Sequence, residues 1–135
     1  MSETPNTTPV TIETMVKDIL QTIERERERE IVSRRFGLFD RKETLEQIGE
    51  LLGITRERVR QLEKSVVLRL KAAAEKDLPH IKDIEKQLVE QLIATGSVAR
   101  VSQITDKFVK ENDRLAQSRL AFLAHLCPKL IVIED

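Results

Sequence analysis

TLEQIGELLGITRERVRQLEK, residues 44 to 64, holds two helix signatures separated by a single turn. Thr44 followed three residues later by Gln47 is a capping-box pair, in which each side chain satisfies a backbone donor of the other. Leu45, Ile48, Leu51 and Leu52 supply the apolar side of the first helix. Gly53 ends it, because glycine alone takes the left-handed turn without a Cβ penalty. Thr55 then caps a second helix, and Glu57 in its first turn suits the positive end of the helix dipole. Nothing from 56 to 76 breaks that helix, so it runs to about Ala74. Gly49 has no side chain and lets the second helix cross the first closely. Ile54 plugs the corner, and Val59 and Leu62 point back at Ile48 and Leu52. Each feature is common alone; together they predict a helix-turn-helix.

A helical wheel for the second helix, with Arg56 at zero, separates two faces. Val59, Leu62, Val66 and Leu70 fall between about 240° and 320°. Arg56, Glu57, Arg60, Gln61 and Lys64 fall between about 0° and 140°. One side suits a core. The other presents long polar groups of the kinds that read base edges: arginine donates twice to guanine, glutamine pairs with adenine, and glutamate accepts from the cytosine amino group. They cluster at the helix N-terminus, the end that enters a major groove in this motif. Charged residues opposite an apolar stripe also occur on ordinary surface helices, so the wheel gains its force from the glycines and the turn.

The 135 residues suit one ordinary domain or two very small ones. At 40% hydrophobic and 34% charged, the chain can bury a core and remain soluble. Net charge is zero, which does not favour nucleic acid by itself. The balance is uneven, however: residues 56 to 71 hold six basic residues against two acidic ones, and local charge decides where a phosphate backbone can sit. Cys127 has no partner for a disulfide, and no signal peptide or membrane-spanning run is evident. Both point to the cytoplasm. His80, His125 and Cys127 lack metal-ligand spacing. The four glycines are isolated and make no phosphate-cradling loop, and no Ser, His and acid constellation stands out. No metal, cofactor or enzymatic activity is expected.

Residues 1–9 read as a disordered polar tail. Val10 to Ile23 is an amphipathic helix. The alternating run ERERERE, residues 24 to 30, predicts a solvated helix face ending near Gly37. Beyond Pro79 come a helix from Ile81 to Gly96, a strand over 97–101, a short helix capped by Ser102, a helix capped by Asp113, and a strand over 130–134. That order is winged-helix-like, although a complete wing needs a further strand, so the unit reads as truncated. The expected fold is mainly α: a helix-turn-helix unit over 10–76, then a small winged-helix-like unit with short β-strands over 77–135.

RFGL together with TLEQIGELLGITRERVRQLEKSVVLRLK resembles region 4 of bacterial sigma-70 family factors, over about residues 16 to 74. The resemblance implies double-stranded DNA binding at a promoter −35-like element, in regulation of transcription initiation. It implies that Arg56, Glu57 and Gln61 contact bases. Arg58 and Arg60 fall on supporting or phosphate-contacting positions, and Thr44 and Leu45 touch the phosphate backbone; Lys64, on the same face, joins the phosphate-contacting set. It also implies that residues 16 to 36 grip the β-subunit flap of RNA polymerase, although the charge run there departs from the family. The parts of a sigma factor that bind the polymerase clamp and melt the −10 element have no counterpart, and four Phe residues read as buried supply no aromatic platform. Residues 77–135 weakly resemble a HARE-type winged helix. Sigma region 4 acts as a single copy, so a monomer is expected. A protein-interaction adaptor, binding polymerase or another regulator without reading DNA, is the second reading.

Overall fold

The computed structural model describes residues 11–131. The tail expected over 1–9 lies outside that range, as do residues 132–134 of the expected second strand. Seven α-helices follow one another among the described residues: α1 (Ile12–Gln21), α2 (Glu26–Phe36), α3 (Leu45–Leu52), α4 (Arg56–Ala74), α5 (Ile81–Ala94), α6 (Val101–Ile104) and α7 (Arg114–Leu126). A 3-10 turn, Thr105–Lys107, extends α6.

The helix ends are set by short-range chemistry. Thr11 Oγ1 accepts from the Thr14 N–H at 3.1 Å and opens α1. Gly37 takes a left-handed φ of 66° and closes α2. Thr44 and Gln47 form the expected capping box: Thr44 N–H donates to Gln47 Oε1 at 2.8 Å, and Gln47 N–H to Thr44 Oγ1 at 3.0 Å. Asp113 Oδ1 accepts from Ala116 N–H at 2.8 Å and starts α7.

No strand occurs among the described residues. Residues 97–101, expected as one, do something else. Gly96 (φ 88°) and Ser97 (φ 73°) are both left-handed and turn the chain sharply after α5. Arg100 then caps α6, its N–H donating to Gln103 Oε1 at 2.7 Å, and Val101 is already helical. The β-branched Val98 and Val101 favoured a strand locally, but strand preference expresses itself only against a neighbouring strand, and none lies there. The same cap displaces Ser102 from the role expected of it. Leu130 and Ile131 are nonrepetitive.

Two buried clusters hold the helices together. The smaller is the corner of the helix-turn-helix: Ile31, Ile48 and Val59 are fully buried, with Leu45, Leu52, Ile54 and Leu62 packed around them. Leu51, counted with the apolar side of α3, lies at the edge of the stripe and is 55% exposed. The larger cluster takes Val16 and Ile19 from α1, Leu70 from α4, Ile84 and Leu88 from α5, and Leu120, Phe122 and Leu123 from α7. It draws on both sides of position 76, where two units were expected to meet. α7 lies at its centre, against α1, α2, α4, α5 and α6. Phe122 meets Phe36 with ring centroids 5.0 Å apart. Arg119 donates to the Leu38 carbonyl at 2.8 Å. Each fully buried Leu, Ile or Phe stabilises this arrangement by about 1.5–3 kcal/mol.

Candidate nucleic-acid interface

The N-terminal half of α4 is held from one side and bare on the other. Thr55 Oγ1 accepts from Arg58 N–H at 3.1 Å and fixes where the helix begins. Val59 is fully buried, and Val66 and Leu70 follow it into the larger cluster. Leu62 is partly buried against the corner. Gly49 makes the crossing possible: a Cβ there would lie 2.7 Å from the Ile54 carbonyl oxygen. Across the helix, Arg56, Glu57, Arg58, Arg60, Gln61 and Lys64 are all exposed. The predicted face is therefore brought together, and the C-terminal half leaves it open. A groove of about 350 Å³ beside it has a mixed lining, with Arg60, Lys64 and Lys71 beside Glu63 and the apolar Phe36, Val67 and Leu68.

The exposed tips are engaged with one another. Arg60 holds Glu57 with two bonds, Nε to Oε1 at 3.0 Å and Nη2 to Oε2 at 2.6 Å. The guanidinium donating to it, chiefly, holds the Glu57 carboxyl below the usual glutamate range. Glu57 is thus an ionised acceptor, the form a cytosine amino group requires. Arg58 Nη1 donates to Gln61 Oε1 at 3.4 Å, and Arg56 Nη1 stands 3.6 Å from Glu46 Oε1 on α3. Water competes for both partners of exposed pairs of this kind, so contacts to a ligand can replace them.

At the start of α3, Thr44 is exposed and its hydroxyl oxygen is committed to the capping box. The Leu45 side chain packs into the corner, so what Leu45 can offer an anion is its first-turn backbone N–H.

The charge run 24–30 was expected to be a solvated face, and part of it is not. Glu28 is 6% exposed and accepts from Arg69 Nη2 at 2.8 Å, pinning α2 to α4. The partner is 41 residues away, so no local pattern could show it. Arg35 similarly reaches Glu63 at 3.3 Å. These bonds fix the pitch of α4 against α2.

Other singled-out residues serve the fold. His80 Nε2 lies 2.7 Å from Asp18 Oδ2 and ties the start of α5 to α1. The His125 ring stands 5.9 Å from Phe36. Cys127 is buried, and its Sγ donates to the Leu123 carbonyl at 3.2 Å. Phe39, read as buried, is 42% exposed, with Arg119 5.5 Å from its ring centroid. Among the described residues, no group of three or more His, Cys, Asp and Glu is placed to hold a metal. No described helix is long and apolar enough to cross a membrane.

Comparison with known proteins agrees with this geometry over part of the chain. Residues 25–72 match the family described as sigma-70, region 4, a DNA-binding and non-enzymatic domain. Over 57 residues the chain is 44% identical to the RNA polymerase sigma factor SigA of a Bacillus species, covering 42% of this chain and 15% of that protein. Over 46 residues it is 50% identical to the RNA polymerase sigma factor sigB of Arabidopsis thaliana, covering 33% of this chain and 8% of that protein. The alignments thus span 15% or less of these relatives' length. No solved structure matches. Residues 25–72 therefore carry a helix-turn-helix similar to sigma region 4.

Proposed function

We propose that this protein binds double-stranded DNA in a sequence-specific manner, at a promoter −35-like element, and acts in transcription initiation. The observation that carries the reading is the division of α4: Val59 is fully buried while Arg56, Glu57 and Gln61 stand exposed on the opposite side. In this proposal α4 enters the major groove with its N-terminal half, and those three residues contact base edges. Thr44, the Leu45 N–H, Arg58, Arg60 and Lys64 meet phosphates on the flanks. The similarity to sigma factors over residues 25–72 supports both the DNA and the promoter context. Residues 10–76 form the reading unit in this proposal. Residues 77–135, for which a HARE-type relation is proposed, hold it from behind. The protein acts as a cytoplasmic monomer.

The second reading is an adaptor that binds the polymerase β flap or another regulator without reading DNA. The burial pattern favours the first. Val16, Ile19, Leu20, Ile23, Ile31 and Val32, apolar residues of the segment that would grip the flap, lie inside the chain's own core, and Phe36 packs against it.

The test is selection of bound duplexes from a random pool at stated salt, followed by two variants. Gln61→Ala should relax the preference at one base pair, a bidentate contact being worth about 1–3 kcal/mol. Arg60→Ala, as a phosphate contact, should weaken all duplexes alike and lower the salt slope by about one unit. If neither change alters DNA binding while capture of polymerase survives, the adaptor reading replaces this one.

A further inference from the structure

Arg119 on α7 lies outside the stretch that matches sigma region 4, yet it reaches three partners in the N-terminal half. Its Nε donates to the Leu38 carbonyl at 2.8 Å, its guanidinium stands 5.5 Å from the centre of the Phe39 ring, and its Nη1 lies 3.6 Å from Glu13 Oε1. The side chain is only 13% exposed. A shielded guanidinium is a fixed, planar fork, and it holds what it bonds in one place.

What it holds is the loop between α2 and α3. Gly37 turns the chain, Leu38 is fully buried, and residues 40 to 42 fold back over Gly37: a Cβ there would lie 2.8 Å from Lys42 Cγ and 3.2 Å from the Asp40 carbonyl oxygen. The far end is pinned to α2, where the Glu43 N–H donates to the Arg34 carbonyl at 2.9 Å. Thr44 and α3 follow at once. The two cations of the loop differ. Arg41 lines a cleft between α1 and α2 together with Glu26, Glu30 and Glu43. Lys42 is exposed, and no ion pair among the described residues includes it. It stands two residues before Thr44, no more than about 7 Å along the chain.

We propose that Lys42 is a further phosphate contact of the DNA interface and that Arg119 is the positioning residue that holds it there. The proposal rests on the reading of α4 as a DNA-binding helix. In that reading Thr44 and the Leu45 N–H meet the phosphate backbone, so an unpaired ammonium two residues upstream reaches the same stretch of it. A lysine attracts phosphate as a point charge, and it adds most to affinity when its stem starts from a fixed place and less freedom is lost on binding. Leu38, held by Arg119, and Glu43, held by α2, are the two fixed ends of that place. The C-terminal half thereby takes part in DNA binding through a residue that touches no DNA.

The experiment measures the affinity of the full chain against salt, for a duplex selected from the random pool and for one of scrambled sequence. Lys42→Ala should lower the salt slope by about one unit for both duplexes and leave the sequence preference unchanged. Arg119→Lys keeps the charge but loses the directed Nε bond and the planar group over Phe39. It should lower the slope in the same way, and the double variant should bind no worse than either single one, because the two residues act as a unit. Phe39→Ala leaves Arg119 in place, removes the ring beneath it, and should move the slope in the same direction by less. A parent chain that binds no duplex overturns the proposal together with the DNA reading. A parent that binds, with a slope unchanged in Lys42→Ala, overturns the proposal alone. So do losses that add in the double variant, and so does Arg119→Lys with a lower melting temperature but the parent's slope, which would confine Arg119 to holding the fold together.

Discussion

Gly49→Ala puts the helix crossing to a quantitative test. A Cβ at position 49 would stand 2.7 Å from the Ile54 carbonyl oxygen and 3.4 Å from both Arg56 N and Thr55 C. All three are backbone atoms of the turn, so no side chain can swing aside, and α3 and α4 must separate or tilt. Overpacking of this kind costs about 1–3 kcal/mol. Alanine returns up to about 1 kcal/mol through its better helix propensity. The expected result is a net destabilisation of about 1–2 kcal/mol, read by urea denaturation, with a melting temperature lower by about 4–8 °C. Gly53→Ala is the matched control. It has open space around it and a φ of 73°, so its cost is conformational, about 1–2 kcal/mol, and it leaves the crossing intact. A Gly49→Ala protein as stable as the parent, or more stable, would mean that helix propensity outweighs contact and that the two helices are not as close as the structure places them.

Two further outcomes follow from the titrating groups. A carboxyl titration of the full chain should place Glu57 below its ordinary value of 4.5, and Arg60→Ala should move it back up. The pairing contributes above the ordinary value and is lost as pH falls through the lowered one; an unchanged midpoint in Arg60→Ala would show that the two side chains do not pair. Burial, with the Glu85 carboxylate adding to it, pushes the Cys127 thiol up to about 12. It should therefore resist iodoacetamide at pH 8 in the native chain and react in urea, and rapid native labelling would contradict the buried position. The sign for stability is the reverse of the glutamate case. The unfolded thiol ionises near 9 while the folded one stays protonated, so its contribution falls as pH rises from 9 toward 12.

The helix-turn-helix was legible because its determinants are local. Thr44 with Gln47, Gly53 and Thr55 act within four residues of themselves, and the buried stripe through Val59 follows from helical period alone. The exposed set Arg56, Glu57 and Gln61 followed from the same wheel. What escaped is what depends on distant neighbours. Glu28 looked like one more charge in an alternating run until Arg69 closed over it. Residues 97–101 had strand-forming side chains but met no strand, and two left-handed residues turned them toward α6. Leu51 and Phe39 are apolar by composition and exposed by position, because a short helix and a loop leave them at the margin of the packing. The mutual pairing of Glu57 with Arg60 follows from their three-residue spacing on one helix face, which a wheel that marks only inward and outward positions does not display.

α4 keeps its anchoring atoms and its candidate reading atoms on separate sides of one rod. Arg56, Glu57 and Gln61 are exposed while Val59 and Leu70 are buried, so residues at those three positions can be exchanged with little effect on folding. Under the proposed DNA-reading function, such a scaffold can drift from one recognised sequence to another through single substitutions, each intermediate remaining folded. It also offers a mount on which new specificities can be installed without redesigning what lies beneath.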